Sequence, residues 1–201
     1  KEETFKKTIT GLLVDEEGTL WIYSTTNRAL YYKNDEENEI KQFFYFDGKP
    51  FYNSVSGMTN CKDGSIWIAT DGGEILKLNQ SKKRIEQIAK FDNSITGLYE
   101  DKEGLLWIGT YDAGVISYNP INKTSTRYIS DPKDSLTLIG NQVFNFCEDG
   151  QGILWCLANS SPNKFDRINQ KWIRWKGKEG FPDNAMTLID DNKGNLWMSS
   201  S

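Results

Sequence analysis

The stretch ITGLYEDKEGLLWIGT, residues 95–110, decides the fold, because its pattern occurs five times along the chain. The other copies read ITGLLVDEEGTLWIYS at 9–24, VSGMTNCKDGSIWIAT at 55–70, VFNFCEDGQGILWCLA at 143–158 and AMTLIDDNKGNLWMSS at 185–200. Aligned on their shared glycine, successive copies are 46, 40, 48 and 42 residues apart. Repeats with a period of about 20–50 residues are typical of solenoids and propellers.

Each copy combines a turn signature with a tryptophan. An aspartate stands three residues before the shared glycine in four copies, whereas the second copy has Cys61 there. The aspartates are Asp15, Asp101, Asp149 and Asp191, and the tryptophans, three residues after the glycine, are Trp21, Trp67, Trp107, Trp155 and Trp197. Aspartate fixes a turn by bonding its own backbone, and glycine supplies the positive φ that closes a short loop. The pattern predicts a β-hairpin whose indole packs between sheets.

Two further strand candidates lie between successive copies. They are 29–33 and 40–44, 75–79 and 85–91, 115–119 and 124–129, and 164–168 and 172–175. No segment has a sustained helical period. Four short strands in each unit of 40–48 residues predict the blade of a β-propeller, and a solenoid of such units is the structural alternative.

The repeats predict an all-β fold, a β-propeller of four-stranded antiparallel blades that is incomplete, with about four and a half blades. We expect a single propeller segment over residues 1–201. Its repeat units are 9–54, 55–94, 95–142, 143–184 and a truncated unit at 185–201. Propellers usually close with about 4–8 blades, and the segment 4–8 supplies at most one more strand. Exposed sheet edges pair with other chains, so self-association is expected.

Composition excludes several classes of function. The chain has 24 basic and 28 acidic residues and a net charge of −4, and its basic residues are scattered, which excludes nucleic acid as an expected partner. No apolar run approaches the roughly 18 residues that cross a bilayer, so we expect no membrane contact by this segment. The chain begins KEETFKK, without a starting Met, and is expected to be part of a longer protein.

Histidine is absent from the sequence. It is the commonest general base and the commonest transition-metal ligand, so serine triads, His-based zinc sites and His-dependent propeller lyases are excluded. We expect no catalytic residue, no metal and no cofactor. The three cysteines are Cys61, Cys147 and Cys156. Cys147 and Cys156 flank one hairpin turn, where they are interpreted as small core side chains, with a cross-strand disulfide as the alternative.

The repeat resembles a known family. The string Ile-x-x-Leu-x-x-Asp-x-x-Gly-x-Leu-Trp-Ile-Gly-Thr at 95–110 is similar to the two-component regulator propeller repeat, and 130–155 resembles the long connection and following strand of that family. The resemblance extends from about residue 9 to residue 200. The third copy fits best, the second departs at Cys61, and the last two lose the Gly-Thr ending.

That resemblance implies a function in signalling. In the family such repeats form extracytoplasmic propellers ahead of a membrane span and an intracellular histidine kinase, and many members respond to oligosaccharides. The resemblance therefore implies that this chain is a non-catalytic, periplasmic sensor module of a membrane-anchored parent protein, with an oligosaccharide as its ligand.

Blade geometry separates two faces of the fold. The turns after strands one and three of a blade lie on one face, and the connections after strands two and four lie on the other. The long connections are 45–54, 130–142 and 176–184. Binding residues concentrate on loops held by a rigid scaffold, and aromatic faces with a carboxylate suit a sugar ring. The predicted ligand-binding residues are Tyr45, Phe51, Tyr52, Tyr111 and Asp112.

Other interpretations remain open. The predicted aromatic residues could instead cover the core or contact a neighbouring domain. The turn aspartates could form a catalytic ring, but they are interpreted as turn caps because they lie on the opposite face and in separate blades. A sialidase-like enzyme needs clustered arginines, whereas the five arginines of this chain are dispersed. A protein-interaction scaffold is the other alternative to a sensor.

Overall fold

The fold is all-β in the described residues. The computed structural model of the chain describes residues 8–24, 28–34, 39–43, 54–79, 84–175, 184–191, 193 and 195–200. The strands are β1 (Gly11–Val14), β2 (Leu20–Ser24), β3 (Ala29–Lys33), β4 (Lys41–Gln42), β5 (Val55–Asn60), β6 (Ile66–Thr70), β7 (Glu74–Asn79), β8 (Arg84–Lys90), β9 (Ile95–Glu100), β10 (Leu106–Thr110), β11 (Val115–Asn119), β12 (Thr124–Tyr128), β13 (Val143–Glu148), β14 (Leu154–Ala158), β15 (Ser161–Asp166), β16 (Lys171–Arg174), β17 (Ala185–Asp190) and β18 (Leu196–Ser200). No helix long and apolar enough to cross a membrane occurs in this part of the chain.

Each strand pairs with its neighbours in sequence. Strands β1–β4, β5–β8, β9–β12 and β13–β16 form four antiparallel sheets of four strands, here called blades 1 to 4. Strands β17 and β18 form a fifth, two-stranded sheet, here called the blade 5 hairpin. The predicted antiparallel blades and their number are therefore confirmed.

One strand begins earlier than the sequence predicts. The predicted strand runs from residue 164, whereas β15 begins at Ser161. The turn needs only Asn159 and Ser160, which have φ values of 46° and 57°. Two consecutive residues with positive φ are typical of a tight hairpin turn. Pro162 consequently lies within the strand, opposite Leu157.

The chain divides into two compact units, Lys1–Asp92 and Asn93–Ser201, which are described separately. Unit 1 contains blades 1 and 2, and its core joins Trp21 of β2 to Val55 and Ile66 of blade 2. Unit 2 contains blades 3 and 4 and the blade 5 hairpin. These buried faces are what hold each unit together, since apolar burial is the main favourable term in folding.

The repeated indole packs between blades, as predicted, at Trp21, Trp107 and Trp155, whereas Trp197 is largely exposed. Trp107 of blade 3 is fully buried, and its ring centroid lies 4.7 Å from that of Phe165 and 5.7 Å from that of Trp172, both edge-on, in blade 4. Edge-to-face aromatic pairs add roughly 0.5–1.5 kcal/mol to the area that they bury. The tryptophan of one blade thus forms the core with the next blade.

First strands of neighbouring blades contact each other within each unit, β1 with β5, β9 with β13 and β13 with β17. The approach is backbone to backbone at blade 3, where Gly97 of β9 is paired with Gly109 of β10. A Cβ at Gly97 would lie 2.7 Å from the Phe144 carbonyl oxygen, and one at Gly109 would overlap the Val143 carbonyl oxygen. Glycine is required at both positions because no side chain fits there.

Candidate functional site

The turn carboxylates are fully used within their own hairpins. In blade 3, Asp101 Oδ1 accepts hydrogen bonds from the backbone N–H groups of Glu103 and Leu105 at 2.9 and 3.0 Å. Its Oδ2 accepts the indole N–H of Trp107 at 2.8 Å. The same set of bonds is made by Asp15, Asp149 and Asp191. The interpretation as turn caps is confirmed, and the bond to the indole explains why aspartate and tryptophan recur together.

The second copy, which lacks the aspartate, uses a different set of bonds. Cys61 is buried at that position, and Asp63 accepts the backbone N–H of Ser65 at 3.1 Å. Lys77 Nζ lies 2.7 Å from Asp63 Oδ2 and 4.9 Å from the centre of the Trp67 ring. A cation over an indole ring is attracted by the ring quadrupole. In blade 2, Asp63 thus caps the turn in place of the missing aspartate and pairs with Lys77 of β7.

Arg167 joins blades 3 and 4 on the face that carries the Asp-x-x-Gly turns, called here the turn face. Its Nη1 atom lies 3.0 Å from Asp101 Oδ2, and its Nη2 atom lies 3.5 Å from Glu148 Oε1. Burial raises the pKa of Asp101, but hydrogen bonds from Trp107 and Leu105 and the Arg167 guanidinium outweigh it and hold this pKa below its ordinary value. The turn after a third strand and the turn after a first strand therefore share one face, as predicted.

The opposite face of unit 2, called here the connection face, consists of the turn 110–114, the connection 130–142 and the turn 159–160. The N–H of Gly114 donates to the Asn141 carbonyl at 2.9 Å. The N–H of Gln142 donates to Asn159 Oδ1 at 3.1 Å, and the N–H of Asn159 returns a bond to the Gln142 carbonyl at 2.8 Å. The long connection is thus tied to the turns of both blades.

The connection 130–142 has its own internal support, although it contains no strand. Arg174 donates to the carbonyls of Asp131, Thr137 and Leu138 at 2.5, 3.1 and 3.1 Å. The buried Asn163 accepts the N–H of Ile139 at 3.0 Å, and the Leu138 side chain is fully buried. The bonds from the partly buried Arg174 and the buried Asn163 hold this loop against blade 4.

Two predicted site residues, Tyr111 and Asp112, lie together on the connection face. Tyr111 is 57% exposed and Asp112 is exposed. Their turn is held by Thr110, whose hydroxyl accepts the N–H of Ala113 at 2.9 Å and donates to the Gly114 carbonyl at 2.8 Å. A fixed turn presents both side chains to solvent without a bond between them in the structure. The other three predicted residues, Tyr45, Phe51 and Tyr52, lie outside the described residues, so the proposed set stays a prediction.

Asn141 and Asn159 organise this face, and the sequence interpretation does not include them. Asn159 has a φ of 46°, and Asn141 Oδ1 accepts the N–H of Ser130 at 2.7 Å. Asparagine tolerates positive φ and bonds nearby backbone, so an Asn within a predicted connection is a signal that could identify such supports.

The cysteines of blade 4 are core residues. Cys147 is opposite Trp155 and Cys156 is opposite Phe146, so the two thiols lie on opposite faces of the sheet and the disulfide alternative is wrong. Both are buried free thiols, and burial raises the pKa of each. Neither has the electropositive, exposed surroundings of a reactive cysteine.

Two cavities in the described residues are small. One of about 220 Å³ is lined by Asp149, Trp155 and Trp175 with residues of the blade 5 hairpin, and one of about 180 Å³ is lined by Asp63, Lys77 and neighbours. Ligand pockets usually enclose roughly 300–1,000 Å³. A ligand of oligosaccharide size therefore fits an open face better than either cavity.

The four-stranded blades, their turn-face hairpins and their connection face define this chain as a β-propeller protein. Residues 90–112 match the family model described as two component regulator propeller, which confirms the resemblance that the repeats carry. The match covers β9, β10 with Trp107, and the turn residues Tyr111 and Asp112. No similar sequence was found among the curated proteins.

Three solved structures have a similar fold. One named as the extracellular domain of a hybrid two component system from B. thetaiotaomicron is 22% identical with a TM-score of 0.78, over 96% of this chain and 26% of that chain. A catalytically inactive His-to-Ala variant of virginiamycin B lyase from Staphylococcus aureus with quinupristin is 11% identical with a TM-score of 0.74, over 98% of this chain and 65% of that chain. A gluconolactonase from Xanthomonas campestris is 17% identical with a TM-score of 0.69, over 96% of this chain and 69% of that chain. The chain spans about two thirds or less of the lyase and sensor chains, and these likenesses show the fold alone.

Proposed function

We propose that this chain is a non-catalytic sensor module of a two-component signalling protein. It detects an oligosaccharide on the connection face and signals to a histidine kinase in the parent protein. The observation that carries the proposal is the two component regulator propeller match at 90–112, together with the likeness to a domain named extracellular. Because of that likeness, the proposed location is extracytoplasmic, in the periplasm.

The chemistry of unit 2 supports a binding function over catalysis. The turn aspartates spend both oxygens on their own hairpins, and Arg167 and Arg174 are bound by scaffold groups. The whole sequence contains no histidine, whereas the similar lyase is named catalytically inactive when one histidine is replaced by alanine. A histidine that could serve in this way is therefore absent from this chain.

A protein-interaction scaffold is the second candidate. The observation that favours it is the apolar surface of the blade 5 hairpin, where Ile189 and Trp197 form a cross-strand pair with both side chains exposed. Exposed apolar surface marks sites of protein contact. A scaffold of this kind binds protein through its blades and takes no oligosaccharide.

Thermal denaturation of the 201-residue chain with oligosaccharides tests the proposal. The probes are hexasaccharides of α-1,4-glucan, β-1,4-xylan, β-1,4-mannan and heparin, each titrated from micromolar to millimolar concentration. A ligand that binds only the folded state raises the unfolding temperature as its concentration increases. A rise of the unfolding temperature supports a sensor if the sugar is recovered intact after the experiment. Shortened sugar would show an enzyme, and no shift with any probe would favour the scaffold.

A further inference from the structure

The first strands of blades 2 to 4 and of the blade 5 hairpin share an irregularity. The pairing register skips one residue near the start of each of these strands. The skipped residues are Ser56, Thr96, Phe144 and Met186. A residue inserted in this way is a β-bulge, and bulges often redirect a side chain beside a functional site.

Core packing explains why the bulge recurs. Residues three apart on a regular strand face opposite sides of the sheet. In β13, however, Val143 and Phe146 both pack in the core shared with blade 3. In β17, Ala185 and Leu188 both pack in the core shared with blade 4. One extra residue between the two buried positions brings both of them to the same side.

The extra residue is consequently left outside the core. Phe144 is 43% exposed and Met186 is 64% exposed, although the residues that precede them, Val143 and Ala185, are buried. The repeat keeps an apolar residue before the bulge but places Thr, Phe or Met in the bulge itself within unit 2. The bulge thus leaves two large apolar side chains, Phe144 and Met186, in solvent, where they are available for contact.

The bulges of unit 2 occupy neighbouring strands. The Thr96 hydroxyl donates to the Val143 carbonyl at 2.6 Å, next to the bulge of β13. The N–H of Leu188 donates to Asn145 Oδ1 at 3.0 Å, so the bulged starts of β13 and β17 also adjoin. Each bulge lies at the start of its strand, away from the Asp-x-x-Gly turn and at the connection-face end. Thr96, Phe144 and Met186 are called here the bulge row.

We propose that the bulge row contacts the apolar face of a sugar ring of the bound oligosaccharide, an inference that rests on the proposed function. A pyranose ring has a face of C–H groups and an edge of hydroxyls. The exposed ring of Phe144 suits the C–H face, and the flexible thioether of Met186 adapts to its outline. In this proposal the hydroxyls of the ring bond to groups of the connection face, such as the exposed carboxylate of Asp112.

Titration calorimetry of the 201-residue chain with the hexasaccharide probes tests this inference. The variants are Phe144→Ala and Met186→Ala. The matched controls are Ile121→Ala and Ile168→Ala, which remove side chains that are 91% and 93% exposed in turns on the turn face. We expect each bulge-row variant to bind roughly tenfold or more weakly, a loss of about 1.4 kcal/mol or more, and each control to bind like the unchanged chain.

A fluorescent variant tests the same contact if an alanine variant folds poorly. Phe144→Trp places an indole in the bulge, and bound sugar should change its emission relative to the unchanged chain. If the chain binds a hexasaccharide but neither alanine change weakens binding and the Phe144→Trp emission is unaltered, the bulge row is not the contact surface, while the sensor proposal stands. If the chain binds no oligosaccharide, the sensor proposal fails and the bulge-row inference fails with it.

Discussion

Replacing Asp101 with asparagine removes a carboxylate of unit 2 that accepts four hydrogen bonds, one of them from another blade. Asparagine keeps one oxygen for the N–H groups of Glu103 and Leu105 but presents an amide N–H₂ to the two remaining donors. Those donors are the indole of Trp107 at 2.8 Å and the guanidinium of Arg167 at 3.0 Å. Both of these bonds are lost, because the indole and guanidinium donors then face the amide N–H₂ group, which is itself a donor.

The expected loss of stability follows from these contacts. A hydrogen bond to a charged group contributes about 1.5–3 kcal/mol, so two bonds give about 3–6 kcal/mol. Arg167 is 25% exposed, and water replaces part of its bond, so the lower end, about 3 kcal/mol, is expected. For a unit of this size each kcal/mol lowers the unfolding temperature by about 4–8 °C. The unfolding temperature of unit 2 should therefore fall by more than about 10 °C.

The chain offers a matched control for this change. Asp191 makes the same hairpin bonds and also accepts the side-chain amide of Asn195, but all of its bonds lie within one exposed hairpin. Trp197 is largely exposed, and no arginine is bonded to Asp191 in the described residues. Urea denaturation followed by tryptophan fluorescence at pH 7 measures both variants. Asp191→Asn should destabilise the chain much less than Asp101→Asn. Equal effects would refute the inference that the interblade bond to Arg167 matters.

The pH dependence of the unfolding free energy tests the contribution of the same carboxylate. The folded-state pKa of Asp101 is below its ordinary value, so its contribution to stability is present above the unfolded-state pKa of about 3.9. The contribution is lost as the pH falls through the lowered folded-state value. The difference in unfolding free energy between the unchanged chain and Asp101→Asn should hold at pH 7 and shrink below about pH 4. A constant difference down to pH 2 would contradict this assignment.

Further predictions concern the scaffold. Gly109→Ala should destabilise unit 2 strongly in urea because its Cβ would overlap the Val143 carbonyl, whereas Gly150→Ala, which has open space, should not. The two cysteines of blade 4 should resist a maleimide in the folded chain and react in urea, as mass spectrometry would record. Arg174→Ala should make the connection 130–142 the first site of tryptic or chymotryptic cleavage, since it removes the bonds to that loop. Static light scattering should show self-association that Trp197→Ser weakens, because the apolar face of the blade 5 hairpin is exposed.

Local signals in the sequence account for the hairpins. Turn chemistry and the recurring tryptophan fix the blades closely enough that β3 and β11 have the predicted bounds. The predicted start of β15 is too late because proline is typical of turns, although a strand tolerates Pro162 where it donates no ladder bond. Short-range patterns thus predict the presence of a strand more accurately than its first and last residues.

Long-range contacts explain what the sequence did not indicate. Arg167 is 66 residues from Asp101 along the chain, so nothing local connects them. The bulges had a visible signal, since each first strand has apolar residues three apart, as at Val143 and Phe146, which a regular strand cannot bury on one side. For the candidate site, the sequence predicts Tyr111 on the connection face, where the structure shows it exposed, and its part in binding stays a prediction. The asparagines that hold that face depend on tertiary bonds, which the sequence does not indicate.

The central claim is that ligand binds unit 2 on the connection face while the Asp-x-x-Gly hairpins serve as scaffold. Hydrogen–deuterium exchange of the chain, with and without the hexasaccharide that shifts its unfolding temperature most, tests this claim directly. We expect added protection in 110–114, 130–144 and 159–160, with 101–104 and 149–152 unchanged. Protection confined to those two hairpin turns, or no added protection at any peptide, would contradict it.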